Sequence, residues 1–185
     1  MIIKLSTVPA LSGIELLKIP RLGEVECFYT DGLRTLLKTI KNVKNMEEKT
    51  IRYPGHAELM KELLNYGNPP QLNPRRLKPK EFIVNFLKES LRSNDNRDLT
   101  VLIIKIKSSK KNQTGFCLDY YDQKHAITSM ARMTGYTASI IAQLLSGYPY
   151  TGIITPEHLG MNLNFYNLFL KELKNRKIKI NISEH

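Results

Sequence analysis

Glu47–Gly67 reads EEKTIRYPGHAELMKELLNYG. Its first part, EKTIRY, has the branched and aromatic residues of a strand. Pro54 cannot donate to a sheet ladder and ends the run, and Gly55 permits a tight turn. From His56 the apolar residues Leu59, Met60, Leu63 and Leu64 recur at helical spacing, and Gly67 closes the helix. A strand therefore passes through a sharp corner into an amphipathic helix. Arg52, Tyr53 and His56 crowd that corner, either to shape the turn or to face a small polar ligand.

The pattern continues on both sides. MIIKLSTV at the start reads as a strand ended by Pro9. Glu24–Thr30, EVECFYT, alternates Val25, Cys27 and Tyr29 against Glu24, Glu26 and Phe28, which predicts a strand with one buried face. TDGLRTLLKTIKN then opens a helix with Thr30 or Asp31 as N-cap and Leu33, Leu36, Leu37 and Ile40 as its stripe. Beyond Gly67, Asn68–Pro79 is a proline-rich loop leading to a helix over Pro79–Leu91. Leu99–Lys107 and Gly115–Asp122 form a hairpin with a polar tip. A long helix follows over Thr128–Leu145, capped by Gly147. Its small residues (Ser129, Ala131, Gly135, Ala138, Ser139, Ala142) let another element approach, and Met130 and Met133 are expected in the core. GIITPEHLG predicts a short strand and a turn, with Glu157 and His158 structural. Phe165–Asn175 is the last helix and KIKINI a terminal strand. Helices mixed with antiparallel strands make the class α+β.

The chain has 185 residues, 42% hydrophobic and 24% charged, the profile of an ordinary globular protein with one core or one core and an appendage. No apolar run is long enough to span a bilayer, and no secretory h-region follows the N-terminus, so a cytoplasmic location and no membrane partner are expected. Cys27 and Cys117 are expected as buried thiols, with a disulfide between them as the alternative in a thermophile. The net charge is +11, from 28 Lys and Arg against 17 Asp and Glu. The lysines are scattered over helix faces and turns, so the excess points to an anionic small molecule or an acidic partner domain and not to nucleic acid.

No Gly-x-Gly occurs, so the dinucleotide fingerprint and the phosphate-cradling loop are both missing. No cysteine or histidine spacing suits a metal, and none is expected. None of the four histidines neighbours a serine or cysteine in a nucleophile motif, and no catalytic residue is assigned.

Three blocks in order, TDGL (30–33), KTIRYPGH (49–56) and MARMTGYTA (130–138), together with GIITPEHLG (152–160), resemble the C-terminal domain of saccharopine dehydrogenase-like enzymes. That group includes saccharopine dehydrogenases and reductases, lysine 6-dehydrogenases and carboxynorspermidine dehydrogenases. The resemblance runs from Val8 to about Ile180. It implies an open, mainly antiparallel sheet with helices on one face, like the second domain of amino-acid dehydrogenases. Residues 1–185 would be that domain, and the N-terminal Rossmann domain would be absent from this chain: a fragment, a truncated product or a split subunit. NAD or NADP would be bound mainly by that absent domain. The expected partners are an amino-acid substrate, the Rossmann domain and a second copy of the chain. The expected function is substrate binding and dimerisation for an oxidoreductase acting on a lysine-derived amino acid, inactive alone; the alternative is a non-catalytic interaction or scaffold protein.

The resemblance offers Arg52 as a bidentate clamp on a substrate carboxylate, with a surface strand arginine as the alternative. Tyr53 and His56 would complete a polar wall, each with packing or turn formation as the plainer role. Asp31 and Arg34 would shape the cleft floor, with Asp31 as an N-cap and Arg34 as a solvated side chain for the alternatives. Arg132, Thr134, Tyr136 and Thr137 would line a pocket or a dimer seam.

Overall fold

A computed structural model describes residues 8–67, 79–92 and 94–185. The chain divides into two compact units, Met1–Ser93 and Asn94–His185. Each is built on a three-stranded antiparallel sheet, so the α+β class holds.

In the first unit β1 (Glu15–Ile19), β2 (Gly23–Tyr29) and β3 (Lys49–Arg52) lie in the order β1-β2-β3. The helices are α1 (Leu36–Thr39), α2 (His56–Gly67) and α3 (Pro79–Ser90). Strand β1 was not predicted, because Glu15-Leu16-Leu17-Lys18-Ile19 has no clean alternation; it forms by pairing with β2, Leu17 opposite Val25. The strand expected over MIIKLSTV falls almost entirely outside the described residues. As the central strand, β2 is buried on both faces: Val25, Glu26, Cys27 and Phe28 are all nearly inaccessible. The expectation of a single buried face fails here because Glu26 and Phe28 find partners in α2.

The helix predicted from Thr30 shrinks to α1, with Thr35 and not Asp31 at its N-cap position. Arg34 adopts a left-handed φ of 44° that breaks any helix between Asp31 and Thr35. Thr30 and Gly32 are instead held by Glu48: its Oε2 accepts from Thr30 Oγ1 and from the Gly32 N–H at 3.1 Å. A Cβ on Gly32 would sit 2.6 Å from the Glu48 carboxyl carbon, so a larger residue here would displace that carboxylate.

In the second unit β4 (Leu99–Lys107), β5 (Asn112–Tyr120) and β6 (Asn181–Glu184) lie in the order β4-β5-β6. The hairpin tip is shorter than predicted, since β5 begins at Asn112, and the terminal strand forms later than KIKINI suggested. The long helix runs as α4 (Ser129–Ala131), a π-turn (Arg132–Tyr136) and α5 (Thr137–Leu145). Thr128 Oγ1 caps it through the Ala131 N–H at 3.1 Å. Helices α6 (Pro156–Met161) and α7 (Leu163–Asn175) complete the unit, and the strand expected before Pro156 does not form. Cys117, Ile140, Leu173 and Ile178 form the core, with Met133, Tyr136 and Leu144 packed against it. Each large apolar side chain buried this way contributes about 2 kcal/mol. Met130 is 58% exposed, contrary to expectation, and so are Ala131, Gly135, Ala138, Ser139 and Ala142. These small residues, expected to let another element approach, are open to solvent, whereas Ser129 is buried. Cys27 and Cys117 are both buried and are not joined by a disulfide.

Candidate functional site

The corner between β3 and α2 is organised by Glu26. Its register on β2 sets it directly opposite Arg52, and the two side chains therefore leave the same face of the sheet. The Glu26 carboxylate turns to the start of α2, where Oε1 accepts from the Ala57 N–H at 2.6 Å and Oε2 from the Gly55 N–H at 2.8 Å. These bonds, that from Ala57 foremost, hold the carboxyl below the usual glutamate range despite its burial. Gly55 has a φ of 89°, which the turn requires and only glycine takes without strain. The His56 ring lies parallel to that of Phe28, with centroids 6.0 Å apart.

Arg52 is exposed, and its one described hydrogen bond goes to the Ile51 carbonyl at 2.8 Å. Among the described residues no carboxylate pairs with it, whereas Arg34, Arg97, Arg132 and Arg176 each have one. Tyr53 is 64% exposed beside it. Arg52, Tyr53 and His56 thus gather at one end of β3.

Asp31 and Arg34 do not join them. They pair with each other at 3.3 Å, both largely solvated, beyond the opposite end of β3 where Tyr29 faces Lys49. What the sheet brings to the face of Arg52 is Thr50 and Glu48: Thr50 Oγ1 lies 2.9 Å from Thr30 Oγ1, which also meets Glu48. The sequence reading missed Glu26 and Glu48, because nothing local marks a carboxylate that serves a loop or helix so distant in the chain.

The second unit holds a buried ionic cluster. Arg132 donates from Nε and Nη2 to the two oxygens of Asp119, both at 3.2 Å, and from Nη1 to Asp122 at 2.7 Å. Ser129 Oγ donates to Asp119 at 2.9 Å and lies 2.9 Å from Thr100 Oγ1. Asp98 takes the N–H groups of Ser129 at 2.5 Å and Met130 at 2.9 Å. His125 Nδ1 meets Asp122 at 2.9 Å, and this bond, with the Arg132 charge adding to it, holds Asp122 down to about 2. With Nη2 also donating to the Arg176 carbonyl at 3.4 Å, Arg132 is a buried internal tie between β5 and the helix, four of its five N–H groups engaged within the unit. Thr134 and Thr137 bond back to the Met130 and Met133 carbonyls, and Tyr136 packs on the core. The concavity along α3, lined by Val84, Leu87, Lys88 and Leu91, contains none of the residues weighed above.

Among the described residues no group of three His, Cys, Asp or Glu is placed to hold a metal, and no helix is long and apolar enough to cross a membrane. Nor does the β3–α2 corner suit a dinucleotide. The N–H groups at the head of α2 that would receive a pyrophosphate are occupied by Glu26.

Antiparallel sheets with helices and a polar strand-to-helix corner define this chain as α+β. The profile of the family described as "Saccharopine dehydrogenase C-terminal domain" matches residues 5–178, and the chain belongs to that family. Its fold is similar to that of apo histidine-tagged saccharopine dehydrogenase (L-Glu forming) from Saccharomyces cerevisiae, with a TM-score of 0.66 at 17% identity. The match covers 95% of this chain and 55% of that one, so the chain spans little more than half the length of the yeast enzyme.

Proposed function

We propose that this chain is the substrate-binding and dimerisation domain of a saccharopine dehydrogenase-like oxidoreductase, with Arg52 as the clamp for a substrate carboxylate. The observation that carries the reading is the state of Arg52: exposed, at a strand end, and turned down by the one carboxylate opposite it. A guanidinium in that state is ready for a planar anion. Tyr53 and His56 stand at the same corner to supply further hydrogen bonds. Asp31 and Arg34, at the other end of β3, would contribute to the far rim of a cleft and not to the same contact.

The enzyme would act on a lysine-derived amino acid, with a Rossmann domain outside these residues binding NAD or NADP and most acid–base work lying there. Occupation of the α2 head by Glu26 supports that division. The head of α2, with its Gly55 and Ala57 N–H groups taken by Glu26, does not fit the cofactor, and this corner would bind and orient the substrate. In this reading residues 1–185 form one functional domain, inactive alone. Dimerisation is supported by the edge of β4, unpaired among the described residues, and by the exposed Leu102, Ile104 and Ile106 on it, with Ile182 on the same face two strands away in β6.

Calorimetric titration with saccharopine and with lysine, for the chain and its Arg52→Ala variant, with and without a related Rossmann domain and cofactor, tests the proposal. Binding lost in the variant is the expected result. Binding unaffected by the variant removes Arg52 from the site, and no binding in any combination leaves a scaffold protein.

A further inference from the structure

The face of the first sheet that carries Arg52 also carries a carboxylate with spare capacity. Alternation along β3 places Thr50 and Arg52 on one face, and the contact of Thr50 with Thr30, and of Thr30 with Glu48, extends that face to Glu48. Arg52, Thr50 and Glu48 therefore form a row that is positive at one end, hydroxyl-bearing in the middle and negative at the other.

Glu48 differs from the other acids that tie this protein together. Glu26 and Asp98 spend both oxygens on backbone N–H groups. The described bonds to Glu48 both fall on Oε2, from Thr30 and from Gly32. Although the chain has 28 Lys and Arg, no cationic side chain among the described residues pairs with this half-buried carboxylate. Its neighbour Lys49 points to the opposite face, to Glu15 at 2.5 Å. Gly32 is moulded against it where a Cβ would collide. A fixed, half-buried carboxylate flanked by two hydroxyls and lacking a cation is a receptor for one.

We propose that Glu48, with the hydroxyls of Thr30 and Thr50, forms a cation subsite that takes the distal ammonium of a substrate whose carboxylate lies on Arg52. Four residues of extended chain separate the Cα atoms of Glu48 and Arg52 by about 13 Å. The ammonium and carboxylate on one α-carbon are too close together to reach both groups. The ligand class is an amino-carboxylate with its charges several bonds apart, laid along β3 across Thr50. The subsite rests on the reading of Arg52 given above and adds a second recognition element to it.

The test compares 6-aminohexanoate, which carries both charges, with hexanoate, which carries only the carboxylate. Each is titrated into the full chain and its Glu48→Gln, Thr50→Val and Arg52→Ala variants. The expected result is that 6-aminohexanoate binds about ten-fold more tightly than hexanoate, as for one charge-assisted hydrogen bond. Glu48→Gln keeps an acceptor for Thr30 and Gly32, and it should close that gap without changing hexanoate affinity. Thr50→Val, which leaves Glu48 in place, should narrow the gap and decides the matter should Glu48→Gln fail to fold. Arg52→Ala should weaken both ligands. Equal affinities, or a gap that survives the folded variants, overturn the subsite while loss of hexanoate binding in Arg52→Ala still upholds the clamp. No binding of either ligand to the wild-type chain, alone or with a related Rossmann domain and cofactor, overturns both.

Discussion

Glu26 stands directly opposite Arg52 on the β2–β3 ladder, yet its carboxylate gives both oxygens to the Gly55 and Ala57 N–H groups and forms no ion pair with the guanidinium. One residue thus starts helix α2 and leaves the arginine uncompensated. These two consequences can be separated experimentally.

Glu26→Ala should destabilise the first unit by about 2 kcal/mol, since it strands buried N–H groups that now bond a charged acceptor. Urea unfolding at neutral pH measures this. The native carboxyl titrates below its ordinary value of 4.5, so its stabilisation is complete above that pH and is lost as pH falls through the depressed value. The difference between wild type and variant should accordingly shrink in acid.

Arg52→Ala, by contrast, should change stability by no more than about 0.5 kcal/mol, because the side chain is exposed and bonds only the adjacent carbonyl. Thermal melting of the variant gives the comparison. A large drop would mark Arg52 as a structural residue and would count against the clamp.

Removing Arg132 should be far more damaging. Arg132→Ala leaves Asp119 buried without its bidentate partner, at a cost of about 3–5 kcal/mol. Arg132→Lys keeps the charge but not the fork that spans Asp119 and Asp122, and it should fall between the two. Denaturation of the three proteins side by side ranks them.

Asp122→Asn tests the acid side of the same cluster. With the native carboxyl at about 2 against an ordinary 3.8, its contribution is full above about pH 4 and is lost as pH falls towards 2. The gap in unfolding midpoint between wild type and Asp122→Asn should be widest near neutrality and close over that acid window. A gap independent of pH would show that the Asp122 charge is not what matters.

Legibility in the sequence followed the range of the interaction. Strand β3, the Pro54–Gly55 break and helix α2 were readable because proline, glycine and helical spacing act within a few residues. So was the β4–β5 hairpin. Strand β1 was invisible because its pattern becomes a strand only beside β2. The helix expected from Asp31 failed because Glu48 captures Thr30 and Gly32 first, and a tertiary hydrogen bond to a carboxylate outweighs a local capping preference.

The site divides in the same way. The sequence alone placed Arg52, Tyr53 and His56 at one corner, since they are neighbours along the chain and the corner is local. It could not show that Asp31 and Arg34 lie beyond the other end of β3, that Arg132 is consumed by Asp119 and Asp122, or that Glu48 shares a face with Arg52. Those relations depend on strand register and on which distant carboxylate reaches which N–H group. Only the folded chain, where residues some thirty positions apart come within hydrogen-bonding distance, decides them.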